Sequence, residues 1–390
     1  MATQSVLAVV GSLAEQMGGP SRTVPLLCRA LLDLGVQVEI VTTTAGLGSE
    51  GRPSHCAEVP ATLVPCWYSP RTRVVWAPGF RRSLRERLAA RPGSILHDNG
   101  LWMQTNHDTA VLARRQRVPR VLSPRGMVTA WALQHKAWKK GLAWRLYQKR
   151  DLVDATAFHA TSDDEAACLR RLGLSQPIAV VPNGIEVPPQ VSRTSAPAGP
   201  RVLLFLSRVH PNKGLLNLAR AWAEVRPNDW RCVIAGPDED GHRAEVERAV
   251  RDAGVESEFS FAGLVQEAQK WDLFARADLF VLPSFSENFG LVVGEALAAG
   301  VPVITTRGTP WRELVTQRCG WWVDIGVEPL AAALREAVSC SDAERAEMGR
   351  RGRRLVEEKY AWPAVAQQMK ALYEWVLGGG PAPGCVQART

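Results

Sequence analysis

Short apolar runs that end in polar residues or glycine recur along this chain with amphipathic stretches between them, and that alternation most limits what it can fold into. The chain reads as a strand over residues 5–11, a loop over 12–21 containing Gly18, Gly19 and Pro20, an amphipathic helix from about Arg22 to Leu34, and a strand over 37–42. Further strand-like runs fall at 95–96, 120–122, 157–159 and 179–181. A strand, a covering helix and a second strand of the same direction make a parallel sheet, so the first half is expected to be an α/β layer structure.

The stretch NGIEVPPQVSRTSAPAGP, between Asn183 and Arg201, is rich in Pro, Ser, Gly and Ala and reads as a linker. A second series follows, with strands over 202–206, 231–235, 258–261, 279–282 and 301–305. With 390 residues to place, two domains are the natural division: 1–183, a linker over 184–200, and 201–360. Tyr360, Trp362, Val365, Met369, Leu372, Tyr373 and Val376 repeat at helical spacing before Gly378, Gly379 and Gly380. The resulting helix, 361–378, is expected to pack back on the first domain, and the tail after Leu377 to fray. The expected fold class is α/β, two Rossmann-like doubly wound domains facing a cleft.

A composition of 46% hydrophobic and 22% charged residues is that of a globular chain. The apolar runs are strand-length, whereas a membrane-spanning helix needs about 20 residues. The start, MATQSVLAVVGSLAEQ, lacks the basic region of a signal peptide, which leads to a cytoplasmic expectation. Eight cysteines without a CxxC pair argue against disulfides and a zinc site. The net charge of +8 favours anionic partners without choosing among nucleotides, phospholipids and nucleic acid. No recognition motif accompanies the charge, so nucleic acid is not expected.

Ligands of open α/β sheets bind beyond the carboxyl ends of the strands. After the strand 279–282 comes PSFSENFGLVVGEALAAGVPVITT, with Glu287 in a loop, Gly290 near a helix start and Glu295 inside the helix. Eight residues of helix rise about 12 Å, so two carboxylates at this spacing can grip two ends of one ligand. Between them the backbone of Asn288, Phe289, Gly290 and Leu291 offers N–H groups at a helix start, where phosphate is favoured.

This segment resembles the Glu-x7-Glu signature of the retaining glycosyltransferase family 4, with its two-domain GT-B fold, and the resemblance covers most of the chain. SRVHPNKGLLNL is similar to that family's Arg and Lys diphosphate clamp, FAGLV over 261–265 to its nucleobase edge and VPNGI over 181–185 to its hinge. The resemblance implies transfer of a sugar from a nucleotide-diphosphate donor to a glycan or lipid-linked acceptor, with retention. Glu287 would bond hydroxyls of the donor sugar, Glu295 the ribose, Arg208 and Lys213 the diphosphate, and Leu264 the base. Gly18 and Gly19 would admit the donor to the first-domain loop. No carboxylate stands out as a nucleophile, which favours a front-face route, and no metal or other cofactor is called for.

Many family members carry a His where VLSPRG places Pro124 and Arg125. His97 and Asp98, in ILHDNGLW, are alternative groups for the same cleft, and Arg125 with Asn99 are acceptor-side candidates. HDNGLW, SPRGM and GTPW resemble a subgroup acting in bacterial surface-polysaccharide assembly. For His97 the competing role is a satisfied core histidine, and for Asp98 a turn cap. An epimerase or a non-catalytic sugar-nucleotide binder would use the same fold. Finally, AWALQHKAWKKGLAWRLYQKR interleaves Trp131, Trp138, Trp144 and Tyr147 with Lys136, Lys139, Lys140, Arg145, Lys149 and Arg150. As a helix it would set its tryptophans in one broad apolar sector, either for an anionic membrane surface or for the core of the first domain.

Overall fold

The computed structural model describes residues 5–48, 51, 53, 56–72, 74–129, 132, 133, 137–189 and 199–387. The chain divides into two compact units, Met1–Gly184 with Trp362–Thr390, and Ile185–Ala361. Each is a Rossmann-like α/β unit built on a mostly parallel sheet.

In the first unit the strands are β1 (Ser5–Ser12), β2 (Gln37–Thr43), β3 (Ala61–Val64), β6 (Ile95–Asn99), β7 (Arg120–Ser123), β8 (Ala157–Ala160) and β9 (Ile178–Val180), with β4 (Trp67–Ser69) and β5 (Val74–Trp76) forming a separate hairpin. The sheet order is β16-β9-β8-β7-β6-β1-β2-β3, all parallel except the last strand of the chain, β16 (Val386–Gln387). That strand corrects the expectation of a frayed tail. Val386 and Gln387 pair antiparallel with Ala179 and Ile178, because β9 would otherwise leave its outer backbone groups unpaired. The first helix, Pro20–Asp33, starts before the expected Arg22, since proline at a helix's first position gives up no hydrogen bond.

β6 is longer than its apolar run. His97, Asp98 and Asn99 continue the strand in the middle of the sheet, fully buried, each with side-chain partners. The helix Trp362–Gly378 belongs to this unit and buries Val365, Met369, Leu372 and Tyr373 among residues of β1 and the helix Pro20–Asp33.

In the second unit, β10 (Arg201–Leu206), β11 (Trp230–Ala235), β12 (Phe259–Gly263), β13 (Leu279–Leu282), β14 (Val303–Thr306) and β15 (Gly320–Val323) order as β12-β11-β10-β13-β14-β15, all parallel. Central β13 is a continuous apolar run buried throughout, as a strand covered on both faces must be. Edge strand β12 is partly exposed along its length.

The Trp- and Lys-rich segment is not one helix. Among the described residues it runs as a helix Ala137–Ala143, a π turn Trp144–Gln148 and a helix Lys149–Val153. Six residues of α-helix turn the side-chain direction about 120° from its start, and Trp138 is 73% exposed whereas Trp144 packs on Trp102 and the core. Trp131 and Lys136 lie outside the described residues.

Candidate functional site

The carboxyl ends of β10 and β13 bring the second unit's predicted residues together. Lys213 closes a short 3-10 turn, Pro211–Lys213, and its Nζ lies 2.5 Å from Glu287 Oε1, which also accepts from Ser284 Oγ at 2.7 Å. Glu287 is held in place by its own backbone N–H, which donates to Gly308 O at 2.7 Å, and Asn212 Nδ2 donates to Ser286 O at 2.7 Å. The loop carrying Lys213 and the loop carrying Glu287 are thereby one hydrogen-bonded piece.

Gly290 is the N-cap of the helix Leu291–Ala298 with φ 77°, a left-handed value that suits glycine. Phe289 is buried against Trp311 and Tyr360, and its carbonyl accepts from Trp311 Nε1 at 2.6 Å, which fixes the helix start. Glu295, one turn into the helix, pairs with Lys270 Nζ at 2.9 Å, and Lys270 is also 2.6 Å from Glu267. Only the residues from Leu291 onward are helical, so the separation of Glu287 and Glu295 is not the eight-residue helical rise expected from their spacing. Leu264 follows β12 and is 74% exposed. Arg208 is exposed and ion-paired to Glu239 rather than to either glutamate of the pair.

In the first unit His97 and Asp98 are buried within β6, and both side chains are engaged by neighbours of the same unit. Asp98 is fully buried, paired with Arg120 at 3.0 Å and bonded by Asn106 Nδ2 at 2.7 Å, and burial lifts its pKa to about 6. His97 belongs to a chain of hydrogen bonds whose direction is fixed from one end. His159 Nε2 donates to Val181 O at 2.9 Å, so its Nδ1 accepts from the Ser123 hydroxyl at 2.6 Å. Ser123 Oγ then accepts from His97 Nε2 at 2.8 Å, and His97 Nδ1 accepts from the Tyr373 hydroxyl at 2.7 Å. Burial holds both imidazoles neutral: His97 is pushed well below its ordinary value and His159 down to about 3, with Arg125 adding to both.

Arg125 and Asn99 do meet, at the carboxyl ends of β7 and β6. Arg125 Nε and Nη2 both donate to Asn99 Oδ1, at 3.1 and 2.8 Å, and Nη1 donates to Asn183 Oδ1 at 2.8 Å. Gly18 has φ 102°, while Gly19 has an ordinary helical backbone at the start of the first helix. Among the described residues, chain neighbours aside, no atom lies within 4 Å of a Cβ built at either glycine.

Residues 189–355 match the family of glycosyl transferases group 1, and residues 18–184 match the glycosyl transferase 4-like domain. The chain is 33% identical over 341 residues to a D-inositol 3-phosphate glycosyltransferase 2 of Catenulispora acidiphila, covering 74% of each chain. It belongs to the GT4-type GT-B glycosyltransferases. This GT4-type transferase is also 24% identical over 397 residues to a GDP-mannose:cellobiosyl-diphosphopolyprenol alpha-mannosyltransferase of Komagataeibacter xylinus, covering 96% of this chain and 94% of the other. Against the protein of the same name from Xanthomonas campestris it spans 64% of that protein's length. In fold it is similar to the sucrose-phosphate synthase of Thermosynechococcus elongatus, with a TM-score of 0.74, 22% identity and coverage of 97% of this chain and all of the other.

Sequence reasoning about this transferase missed Ser284, Asn212 and Lys270. Ser284 had a signal, lying three residues before Glu287 directly after a strand. Lys270 had none, since only the fold brings its helix, Glu267–Arg276, beside Glu295.

Proposed function

We propose that the chain moves a sugar from a nucleoside-diphosphate donor held by the second unit to a hydroxyl of a phosphate-bearing acceptor, with retention at the anomeric carbon. The observation that carries this reading is the joined cluster of Lys213, Glu287 and the Gly290-capped helix at the carboxyl ends of β10 and β13. A cation and a helix N-terminus suit the diphosphate, and a carboxylate beside them suits the positive charge that develops on the sugar ring. The lysine and the carboxylate neutralise each other; on binding, the diphosphate takes over Lys213 and sugar hydroxyls donate to Glu287. The bond from the anomeric carbon to the phosphate oxygen breaks as the bond to the acceptor oxygen forms. The acceptor proton passes to the departing diphosphate on the same face of the ring, so no protein nucleophile and no resident cofactor is needed. Lys270 orients Glu295 for the ribose.

Two relatives are named for acceptors carrying phosphate, a diphosphopolyprenol-linked cellobiose and an inositol 3-phosphate, which supports a phosphate-bearing acceptor here. The test is a panel of UDP- and GDP-sugars followed by product analysis. A donor of this class should raise the unfolding midpoint by several degrees and, with a lipid-diphosphate glycan, give an α-configured product from an α-configured donor. If no nucleotide sugar shifts the midpoint, the reading falls; if the donor sugar is only epimerised, the transferase assignment gives way to an epimerase.

A second reading concerns location. Among the described residues no helix is long and apolar enough to cross a membrane. Trp138, Leu142 and Leu146 are nonetheless exposed next to exposed Arg145, Lys149 and Arg150. Apolar side chains flanked by cations suit the surface of an anionic bilayer, which favours a peripheral enzyme at the inner membrane face meeting a lipid-linked acceptor there.

A further inference from the structure

Arg125 stands two residues past the end of β7 with φ 54°, followed by Gly126 at φ 82°. A left-handed backbone costs a non-glycine residue about 1–2 kcal/mol, and such conformations gather at ligand sites. Here the turn sends the guanidinium back across the strand ends to Asn99 and Asn183.

All three bonds run to neutral amide oxygens, and among the described residues Arg125 has no carboxylate in hydrogen-bond or ion-pair contact. The neighbouring buried arginine, Arg120, shows what the same fold does with a purely structural cation: it is paired with Asp98 at 3.0 Å. A desolvated cation left unpaired is costly unless something else compensates it. The acid whose charge favours the guanidinium, Glu165, makes no direct bond to it and accepts instead from Gly126 N at 2.5 Å and from Thr161 N and Oγ1 at 2.8 and 3.0 Å. Asn99 is itself fixed, its Nδ2 donating to Val9 O and His97 O at 3.1 and 3.0 Å. The other polar groups around the guanidinium, His97, His159, Cys28 and Tyr373, are neutral: burial lowers the imidazoles and raises the thiol to about 12 and the phenol well above its usual value. Arg125 remains only partly buried, at the edge of the sheet where α/β proteins take ligands.

We propose that Arg125, braced by Asn99 and Asn183, is a phosphate-binding subsite of the first unit, and that its ligand is the phosphate of the acceptor rather than the donor diphosphate. This rests on the transferase reading above. Arg125 keeps N–H groups beyond the three committed to the amides, and a guanidinium is suited to two phosphate oxygens at once. Asn99 and Asn183 are positioning residues: they aim the fork without neutralising it.

The test is calorimetric titration of the full chain with inorganic pyrophosphate in the presence of saturating UDP and GDP, which fill the donor site. Arg125→Gln is expected to weaken pyrophosphate binding about tenfold or more, with nucleotide affinity within about twofold of the parent. Asn183→Asp keeps the oxygen that accepts from Arg125 and adds the carboxylate the site lacks, so it should fold at least as stably and still weaken pyrophosphate about tenfold. A merely structural arginine predicts the same gain in stability for that variant but no change in anion affinity. Pyrophosphate binding unchanged in Asn183→Asp, absent from the nucleotide-saturated parent, or lost only in step with nucleotide affinity overturns the subsite. Failure of UDP and GDP to bind the parent overturns instead the transferase reading on which it depends.

Discussion

Lys213 and Glu287 hold one another at 2.5 Å, so removing either changes more than one contact. Glu287→Gln keeps the size and the bond from Ser284 but loses the charge that stabilises a cationic sugar, a contribution largest in the transition state. Turnover should fall by about a hundredfold, with donor dissociation constant changed by less than about threefold; equal losses in both would take Glu287 out of the charge-stabilising role. Lys213→Ala should weaken nucleoside-diphosphate binding and turnover together, by about tenfold or more each, because one cation serves both the bound diphosphate and its departure. The buried imidazoles give a second prediction at this scale. Their folded-state pKa lies below the ordinary 6.5, at about 3 for His159, so the unfolded chain binds more protons throughout the interval between. The histidines' contribution to stability is therefore complete above about pH 6.5 and falls with pH below it, for His159 down towards pH 3 at up to about 1.4 kcal/mol per pH unit. Chemical unfolding at pH 7.5 and 5.5 checks this: the acid loss should shrink in His159→Gln, and an identical loss in parent and variant would remove the histidine chain as its source.

At the scale of elements, the central strands and the helix Trp362–Gly378 were readable from apolar periodicity, whereas β3, β15, the β4–β5 hairpin and the polar end of β6 were not. The run at 95–96 extends through His97, Asp98 and Asn99 because Ser123, Arg120 and Val9 satisfy them, and those partners lie on other strands, out of reach of local pattern. β16 is equally invisible, being two residues whose only reason to be extended is the open edge of β9. In the candidate site, Glu287, Gly290 and Glu295 could be placed on loop, cap and helix from sequence, but their distance could not, since the helix begins only at Leu291. One glycine between elements makes the connection testable. Gly214 has φ 70°, and a side-chain carbon built there would lie 2.0 Å from Pro283 O, a backbone atom that cannot step aside. Gly214→Ala should therefore force the Lys213 turn away from β13, destabilise the second unit by about 2–4 kcal/mol and weaken nucleotide binding with it. Unfolding in urea measures the first effect, and a change below about 0.5 kcal/mol would mean that the two loops are not packed as tightly as the backbone places them.

For the whole molecule, the net charge of +8 and the exposed apolar side chains of Trp138, Leu142 and Leu146 make separable contributions to any membrane contact. Trp138, Leu142 and Leu146 cost nothing to expose if they are ordinary surface residues, since single exposed apolar side chains are common, but three in one short stretch beside Arg145, Lys149 and Arg150 form a patch. Charge alone would bring the protein to anionic vesicles in a way that salt abolishes, because attraction between exposed charges is screened beyond about 10 Å at 0.1 M salt. Apolar burial is not screened, and each large side chain that enters the interface contributes about 1.5–3 kcal/mol. Co-sedimentation with vesicles containing anionic phospholipid should then show binding that 0.5 M salt reduces without eliminating. Replacing Trp138, Leu142 and Leu146 together by serine should remove the salt-resistant part, while Arg145→Glu with Lys149→Glu should remove the salt-sensitive part and leave turnover on a soluble acceptor unchanged. Retention of full vesicle binding by the triple serine variant at both salt concentrations would exclude this patch as the contact, and absence of binding to anionic vesicles by the parent at low salt would remove the membrane from the reading of this transferase altogether.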